Sequence, residues 1–202
     1  MNRDLIIKAL SLYEAGERGD HDMNAHLKEA EITDHPRRKA AVLVPIVEYD
    51  RGLHILLTQR TEHLRTHAGQ VSFPGGAVDE TDTDAVHTAM REAQEEIGLP
   101  ADYIDPIGKL DTYLTGSGFE ITPIVAFIRP GFTVVPDAHE VADVFEVPLD
   151  FLMDKQNHQK HVGVWKGIER KYYAIPYEGR QIWGATAGML VNLHDLVIKV
   201  QQ

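Results

Sequence analysis

One amphipathic segment, fenced on both sides by helix breakers, constrains the fold of this chain more than any other. Over residues 83–97, Val86, Ala89, Met90, Ala93 and Ile97 fall on one side at about 100° per residue. Gly98 and Pro100 close the helix. Ahead of it, Pro74-Gly75-Gly76 stops a short strand, Val71-Ser72-Phe73. Most of the remaining pattern is strand. Residues 41–47 form a β run in which Pro45 points to an edge or a bulge. The turn Tyr49-Asp50-Arg51-Gly52 joins it to a second strand over 53–59, a hairpin pattern. Strands are expected over 104–114 and 121–128 about the turn Thr115-Gly116-Ser117-Gly118. A short helix is expected over 148–152, paired strands over 162–165 and 171–175, and a last helix over 182–197. Mixed strands with few helices and no regular βαβ repeat specify an α+β or compact α/β fold.

The N-terminus reads differently. Residues 4–15 carry one apolar stripe, with Asp4 as N-cap. Residues 16–38 are polar with weak periodicity, a linker or loosely packed arm. The expected organisation is therefore an N-terminal helix and polar arm over 1–38 and one domain over 39–202.

Composition narrows the classes of function. The 20 Lys and Arg stand against 31 Asp and Glu, a net charge of −11, which argues against sequence-independent nucleic-acid binding. The absence of cysteine excludes disulfides, a thiolate nucleophile, iron–sulfur clusters and thiolate-bound zinc. No window holds the roughly 18 apolar residues of a membrane span. A cytoplasmic protein with no membrane partner is the expectation.

The chemistry concentrates in Arg91-Glu92-Ala93-Gln94-Glu95-Glu96-Ile97-Gly98-Leu99. Glu92 and Glu96 are one turn apart and project together, with Glu95 beside them. Like charges at this spacing repel by roughly 0.2–0.5 kcal/mol per pair. A divalent cation offsets that repulsion, and Mg²⁺ takes one or two carboxylates together with substrate phosphates. Arg91 and Glu95, also at i, i+4, can pair and fix the row. The alternative is a solvated acidic helix face. The glycine turn upstream, which lets backbone approach a ligand closely, and the adjacent Arg91 weigh toward a site.

These residues resemble the second half of the Nudix box, Arg-Glu-U-x-Glu-Glu-x-Gly-U with U aliphatic, at every fixed position. The first half departs from it. Five residues separate Gly76 from Asp82, which stands where the box has Glu, and eight residues rather than seven separate Asp82 from Arg91. Immediately upstream, Leu56-Leu57-Thr58-Gln59-Arg60, Arg65, Gly69 and Phe73-Pro74-Gly75-Gly76 are similar to the signature of the coenzyme A diphosphatase branch at every required spacing. Thr61 is the one mismatch, where that signature has Ser or Ala.

The resemblance implies a Nudix-type α/β/α sandwich around a mixed sheet, with the box as loop–helix–loop. It implies hydrolysis of the diphosphate of coenzyme A or its derivatives with Mg²⁺ or Mn²⁺, giving 3′,5′-ADP and 4′-phosphopantetheine. Glu92, Glu95 and Glu96 are the implied catalytic and metal residues, with Arg91 beside them; a metal role for Asp82 does not carry over. Gly75 and Gly76 line the substrate side. Arg60 and Arg65 form a cationic patch for phosphate, or else Arg60 caps a strand and pairs with an acid. Glu140 is a general base or extra ligand, or else a solvated loop acid. His63 and His67 are read as loop hydrogen-bonding groups, and Trp183 as a core residue. The residues support the chemistry independently, because a metal neutralises phosphate and activates water. Of the serines, Ser11, Ser72 and Ser117, none lies in Gly-x-Ser-x-Gly. The chain is expected to act on a small molecule, alone or as a homodimer. Two rivals stand: a Nudix diphosphatase acting on ADP-ribose, NADH or another nucleoside diphosphate derivative, and a non-catalytic nucleotide-sensing Nudix module.

Overall fold

The computed structural model describes residues 1–27, 36–165 and 167–201. Along the chain run α1 (Arg3–Ser11), β1 (Glu17–Gly19), α2 (Asp20–Met23), β2 (Arg38–Tyr49), β3 (Gly52–Arg60), β4 (Val71–Ser72) and β5 (Gly75–Ala77). Then come α3 (Ala85–Ile97), β6 (Ile104–Lys109), β7 (Thr112–Leu114), β8 (Phe119–Ile128), β9 (Val141–Pro148) and α4 (Leu149–Leu152). The chain finishes with β10 (Gln159–Trp165), β11 (Ile168–Tyr177), β12 (Arg180–Trp183) and α5 (Ala185–Gln201).

Among the described residues, nine strands make one mixed sheet, in the order β1-β7-β8-β2-β3-β4, with β5 on β2, β6 on β8 and β9 on β3. Strands β10, β11 and β12 make a separate antiparallel sheet. Side chains alternate across a strand, so the apolar runs of β2, β3 and β8 feed two cores. Val44, Ile46, Ile55, Leu57, Val125 and Phe127 face α1 and α5. Leu43, Val47, Leu56, Ile124 and Ala126 face Ala89, Ala93 and Ile97 of α3. The result is the expected α/β/α layering.

Several local expectations change. Pro45 lies in a strand with neighbours on both sides, not at an edge. Strand β8 runs beside residues 38–47. On the other side β5 covers residues 40–42 and β3 covers 46–49. The Leu43 N–H reaches the Pro74 carbonyl on this second side at 2.8 Å. Pro45, two residues on, faces the gap between the two partners, so its missing donor breaks no ladder bond. The Pro74-Gly75-Gly76 stop is also a start, since Gly75 to Ala77 pair with β2. Trp183 ends β12 and is 39% exposed instead of buried in a helix.

The N-terminal region departs most. Helix α1 ends at Ser11, and its N-cap is Asn2, whose Oδ1 accepts the Leu5 N–H at 3.0 Å. Residues 17–19 are a parallel strand on β7, where a loose arm was expected. Asn24 donates to the Lys171 carbonyl at 3.0 Å and accepts its N–H at 2.8 Å. The rest of the arm, residues 28–35, lies outside the described residues.

The expected strand over 104–114 breaks between β6 and β7 at Leu110-Asp111. The buried Asp111 carboxylate accepts from Tyr13 at 2.5 Å, Gly16 N–H at 2.6 Å and Asn192 at 3.0 Å, and pairs with Arg18 at 3.1 Å. Hydrogen bonds to a charged group are worth about 1.5–3 kcal/mol each, enough to fix a break in a strand. They tie the N-terminal region to α5. Ile6, fully buried in the core under α5, adds apolar anchorage. Ile6→Ala is expected to lower the unfolding free energy by about 2–5 kcal/mol, read as a fall in urea midpoint with unchanged slope.

Candidate active site

The loop ahead of α3 is built by short acids that bind backbone. Asp79 Oδ1 accepts the Thr81 N–H and hydroxyl, both at 2.9 Å, and the Asp79 N–H donates to Asp82 Oδ2 at 2.8 Å. Asp84 caps the helix by accepting the His87 N–H at 2.8 Å. Gly98 ends it in the left-handed region at φ 65°, returning its N–H to Gln94 at 3.0 Å. Both helix ends are thus set by local chemistry, which fixes the direction in which the carboxylates leave α3.

Asp82 is buried. Its two oxygens take a fork from Arg91, Nε at 3.0 Å and Nη2 at 2.9 Å, and the Thr88 hydroxyl donates to it at 2.9 Å. His87 Nδ1 lies 3.1 Å away. The Arg91 fork, first of all, holds the Asp82 carboxyl well below the usual carboxylate range. Its lone pairs are engaged internally, so it is an anchor for Arg91 and not a donor for a metal. Arg91 also donates to Glu92 at 2.9 Å, to Glu95 at 3.0 Å and to the Ala77 carbonyl at 3.2 Å. The expected Arg91–Glu95 pair forms.

The carboxylate row is uneven. Glu95 is exposed, while Glu96 is buried. Glu96 Oε2 accepts the Gly75 N–H at 3.1 Å and Oε1 meets Arg60 Nη1 at 3.4 Å. Burial pushes the Glu96 carboxyl up to about 7, against the pull of Gly75 and Arg60 and with the push of Glu92 and Glu140. Burial likewise raises Glu92, opposed by Arg91. The two glycines act differently. A Cβ on Gly75 would meet the Ala41 carbonyl at 2.5 Å and Val42 Cα at 2.6 Å, which are backbone atoms. A Cβ on Gly76 would meet the Glu92 carboxylate, with Cδ at 2.5 Å. Gly75 lets β5 join the sheet; Gly76 leaves room for Glu92.

Glu140 stands on the turn before β9, half exposed, with Oε2 3.5 Å from Arg60 Nη2. Arg60 therefore lies between two acids, Glu96 and Glu140. Arg65 is exposed on the loop over 61–70 and makes no ion pair among the described residues. His67 Nδ1 is 2.8 Å from Gln70 Oε1, a loop hydrogen bond as expected. The sequence reading had not singled out Thr88, which is fully buried and locks Asp82 to α3. Its signal was available: a hydroxyl one helical turn after the cap Asp84, whose carbonyl it also reaches at 3.2 Å.

Among the described residues, no three acidic or imidazole side chains stand close enough to form a ready-made metal cage. The donors nonetheless suit a hard divalent cation. Glu92 and Glu96 offer carboxylate oxygen only, and both are raised by burial and by neighbouring acids, a condition a cation relieves.

Residues 36–166 match the family described as the NUDIX domain. A Citrobacter koseri protein named an uncharacterized Nudix hydrolase, NudL, is 41% identical over 157 residues, covering 78% of this chain and 81% of its own. The protein of that name from Escherichia coli O7:K1 is 40% identical over 156 residues, covering 77% and 81%. Among solved structures, a C. elegans Ap4A hydrolase binary complex is similar with a TM-score of 0.47 at 22% identity, over 56% of this chain and 81% of its own. The MutT protein of Methanosarcina mazei Go1 is similar with a TM-score of 0.49 at 19% identity, over 83% and 95%. No described helix is long and apolar enough to cross a membrane.

Two outcomes follow from the geometry. Gly76→Ala moves the Glu92 carboxylate and not the backbone, so turnover is expected to fall about a hundredfold with little change in melting temperature. The second concerns pH. A carboxyl raised on folding binds its proton more tightly in the native state. Its contribution to stability is present below about 4.5, the unfolded value, and is lost as pH rises through about 7. With chelator present, the urea midpoint of Glu96→Gln should therefore gain on that of the parent as pH rises from about 4.5 to 7. A constant difference across that window would show that Glu96 titrates elsewhere.

Proposed function

Because the chain belongs to the Nudix family and is a hydrolase of phosphoanhydride bonds, we propose that it cleaves the diphosphate of coenzyme A or its derivatives. Water adds across the P–O–P bridge and the products are 3′,5′-ADP and 4′-phosphopantetheine, or its acylated form. One observation carries the substrate: the coenzyme A signature from Leu56 to Gly76, matched in spacing throughout and in identity except at Thr61. That same segment supplies Arg60 to Glu96, Gly75 to Glu96 and Gly76 to the space around Glu92. The substrate signature and the carboxylate row are thus one continuous surface.

Nudix hydrolases generally use divalent metals. In our reading the ion is Mg²⁺ or Mn²⁺, and Glu92 and Glu96 hold it, with Glu95 next to them. Bound there, it supplies charge screening for phosphate oxygens and a lowered pKa for water. The chain's own residues do the rest. Arg91 holds Glu92 and Glu95 in place. In this reading Glu140, half exposed and paired with Arg60, takes a proton from water. Gly75 merges β5 with the sheet beneath the row, and Gly76 keeps the space around Glu92 free of a side chain. Arg65, exposed and unpaired among the described residues, takes the 3′-phosphate, while Arg60 acts from inside the carboxylate row. On this reading the Nudix domain spans 39–202 and residues 1–38 are an addition, of which residues 1–27 brace it.

A panel of coenzyme A, dephospho-coenzyme A, ADP-ribose and NADH, assayed with Mg²⁺ and with Mn²⁺ and read by product mass, tests the proposal. Coenzyme A is expected to have the highest kcat/KM and to release 3′,5′-ADP. A higher value for ADP-ribose or NADH would move the assignment to that substrate. Arg65→Ala is expected to lower kcat/KM on coenzyme A by about ten- to a hundredfold and to spare dephospho-coenzyme A, which lacks the 3′-phosphate. Equal losses on both would return Arg65 to the diphosphate or to the fold.

A further inference from the structure

We propose that Arg60 and Thr61 form a clamp that sets Glu140 beside Glu92 and Glu96, which makes Thr61 a positioning residue for the reaction. This rests on the reading of those three acids as the working carboxylates. The clamp begins with an irregularity in the sheet. Strands β3 and β9 pair in register from His54–Pro148 to Gln59–Asp143, then slip, so that Arg60 opposes Val141. Such a bulge re-aims a side chain and ends regular pairing. The extra residue, Ala142, lies in β9, and Arg60, on the same face of β3 as Leu56, stays on the α3 side, with Nη1 3.4 Å from Glu96 Oε1 and Nη2 3.5 Å from Glu140 Oε2.

Thr61, next in the chain and buried, grips the backbone of the same turn twice. Its N–H donates to the Glu140 carbonyl at 2.9 Å and its hydroxyl to the His139 carbonyl at 3.0 Å. The far end of the turn hangs from the helix, because the Asp137 N–H donates to the Glu96 carbonyl at 2.9 Å. Within the turn, Asp137 accepts from the N–H groups of Glu140 at 3.0 Å, Val141 at 2.8 Å and His139 at 2.9 Å. The turn is thereby suspended between the end of α3 and the end of β3. Those are the two elements that deliver Glu96 and Arg60. A half-exposed acid on an unsupported turn would sample many directions; suspension fixes it. Thr61 is also where the chain departs from the Ser or Ala of the signature it resembles. Alanine has no hydroxyl to give His139, whereas serine does.

A double-mutant cycle on the full chain tests this, with Thr61→Val, Thr61→Ser, Glu140→Gln and the Thr61→Val/Glu140→Gln pair. It is read in two ways: hydrolysis of whichever panel diphosphate the parent cleaves fastest, and Mn²⁺ binding by calorimetry without substrate. Glu140→Gln is expected to lower kcat about a hundredfold and Thr61→Val about tenfold, each with KM within about twofold and with Mn²⁺ binding weakened severalfold. The pair should fall no further than Glu140→Gln alone, and Thr61→Ser should match the parent. Additive losses in the pair overturn the proposal, because a purely structural threonine would act independently of Glu140. So does a Thr61→Ser variant as impaired as Thr61→Val, or a Glu140→Gln variant equal to the parent in both readouts. If the parent cleaves no diphosphate of the panel, the functional reading fails on its own, and the Mn²⁺ cycle decides the clamp.

Discussion

A guanidinium has five N–H donors. In Arg91 they are shared among Asp82, Glu92, Glu95 and the Ala77 carbonyl. Everything around the row is referred to this one planar group. Asp82 brings the loop ahead of α3, Ala77 brings β5, and the two glutamates bring the helix. The fork to Asp82 sets the plane, and the plane sets where the other donors point. An ammonium, being a single point charge, has no plane and could not hold these partners at once. Asp in place of the longer Glu of the box, with one residue more in the spacing, still delivers a carboxylate to the fork.

Glu96 lies outside the reach of Arg91 and is held by other donors. A carboxylate under the end of a sheet loses water, and it is tolerated only where donors replace the water. Gly75 and Arg60 are those donors, and they come from the segment before the helix, not from the helix itself. The helix therefore carries the acid, but the sheet end decides how acidic it is. Gly75 serves this by merging its backbone with β2, while Gly76 serves the neighbouring Glu92 by having nothing to merge.

The layers and the helix were legible in the sequence because both rest on local rules. Apolar runs in the strands, an apolar stripe at helical spacing and a glycine after Ile97 specify strands, helix and helix end wherever they occur. What was not legible depends on partners far along the chain. Asp111 reads as one more strand residue until Tyr13, Gly16, Arg18 and Asn192 converge on it. Pro45 reads as an edge residue until the handover between β5 and β3 is seen. Glu96 and Thr88 sit on faces that the apolar stripe marks as polar, and only tertiary donors and acceptors make their burial possible. The pairing of Arg60 with two acids could not be read, because Glu140 arrives from a turn far along the chain.

The contact between α1 and α5 has a consequence in time. Synthesis adds roughly 5–20 residues per second. Ser11 is made long before Ala185, so α1 waits on the order of ten to thirty seconds at that rate for the helix that covers Ile6 and Leu10. During that interval its apolar stripe can meet only the sheet and lacks the cover of α5, and the Asp111 network cannot close because Asn192 does not yet exist. The sheet can form around β2 and β8 meanwhile. The molecule thus seals from the middle outward, and its first helix is fully covered only when the last one arrives.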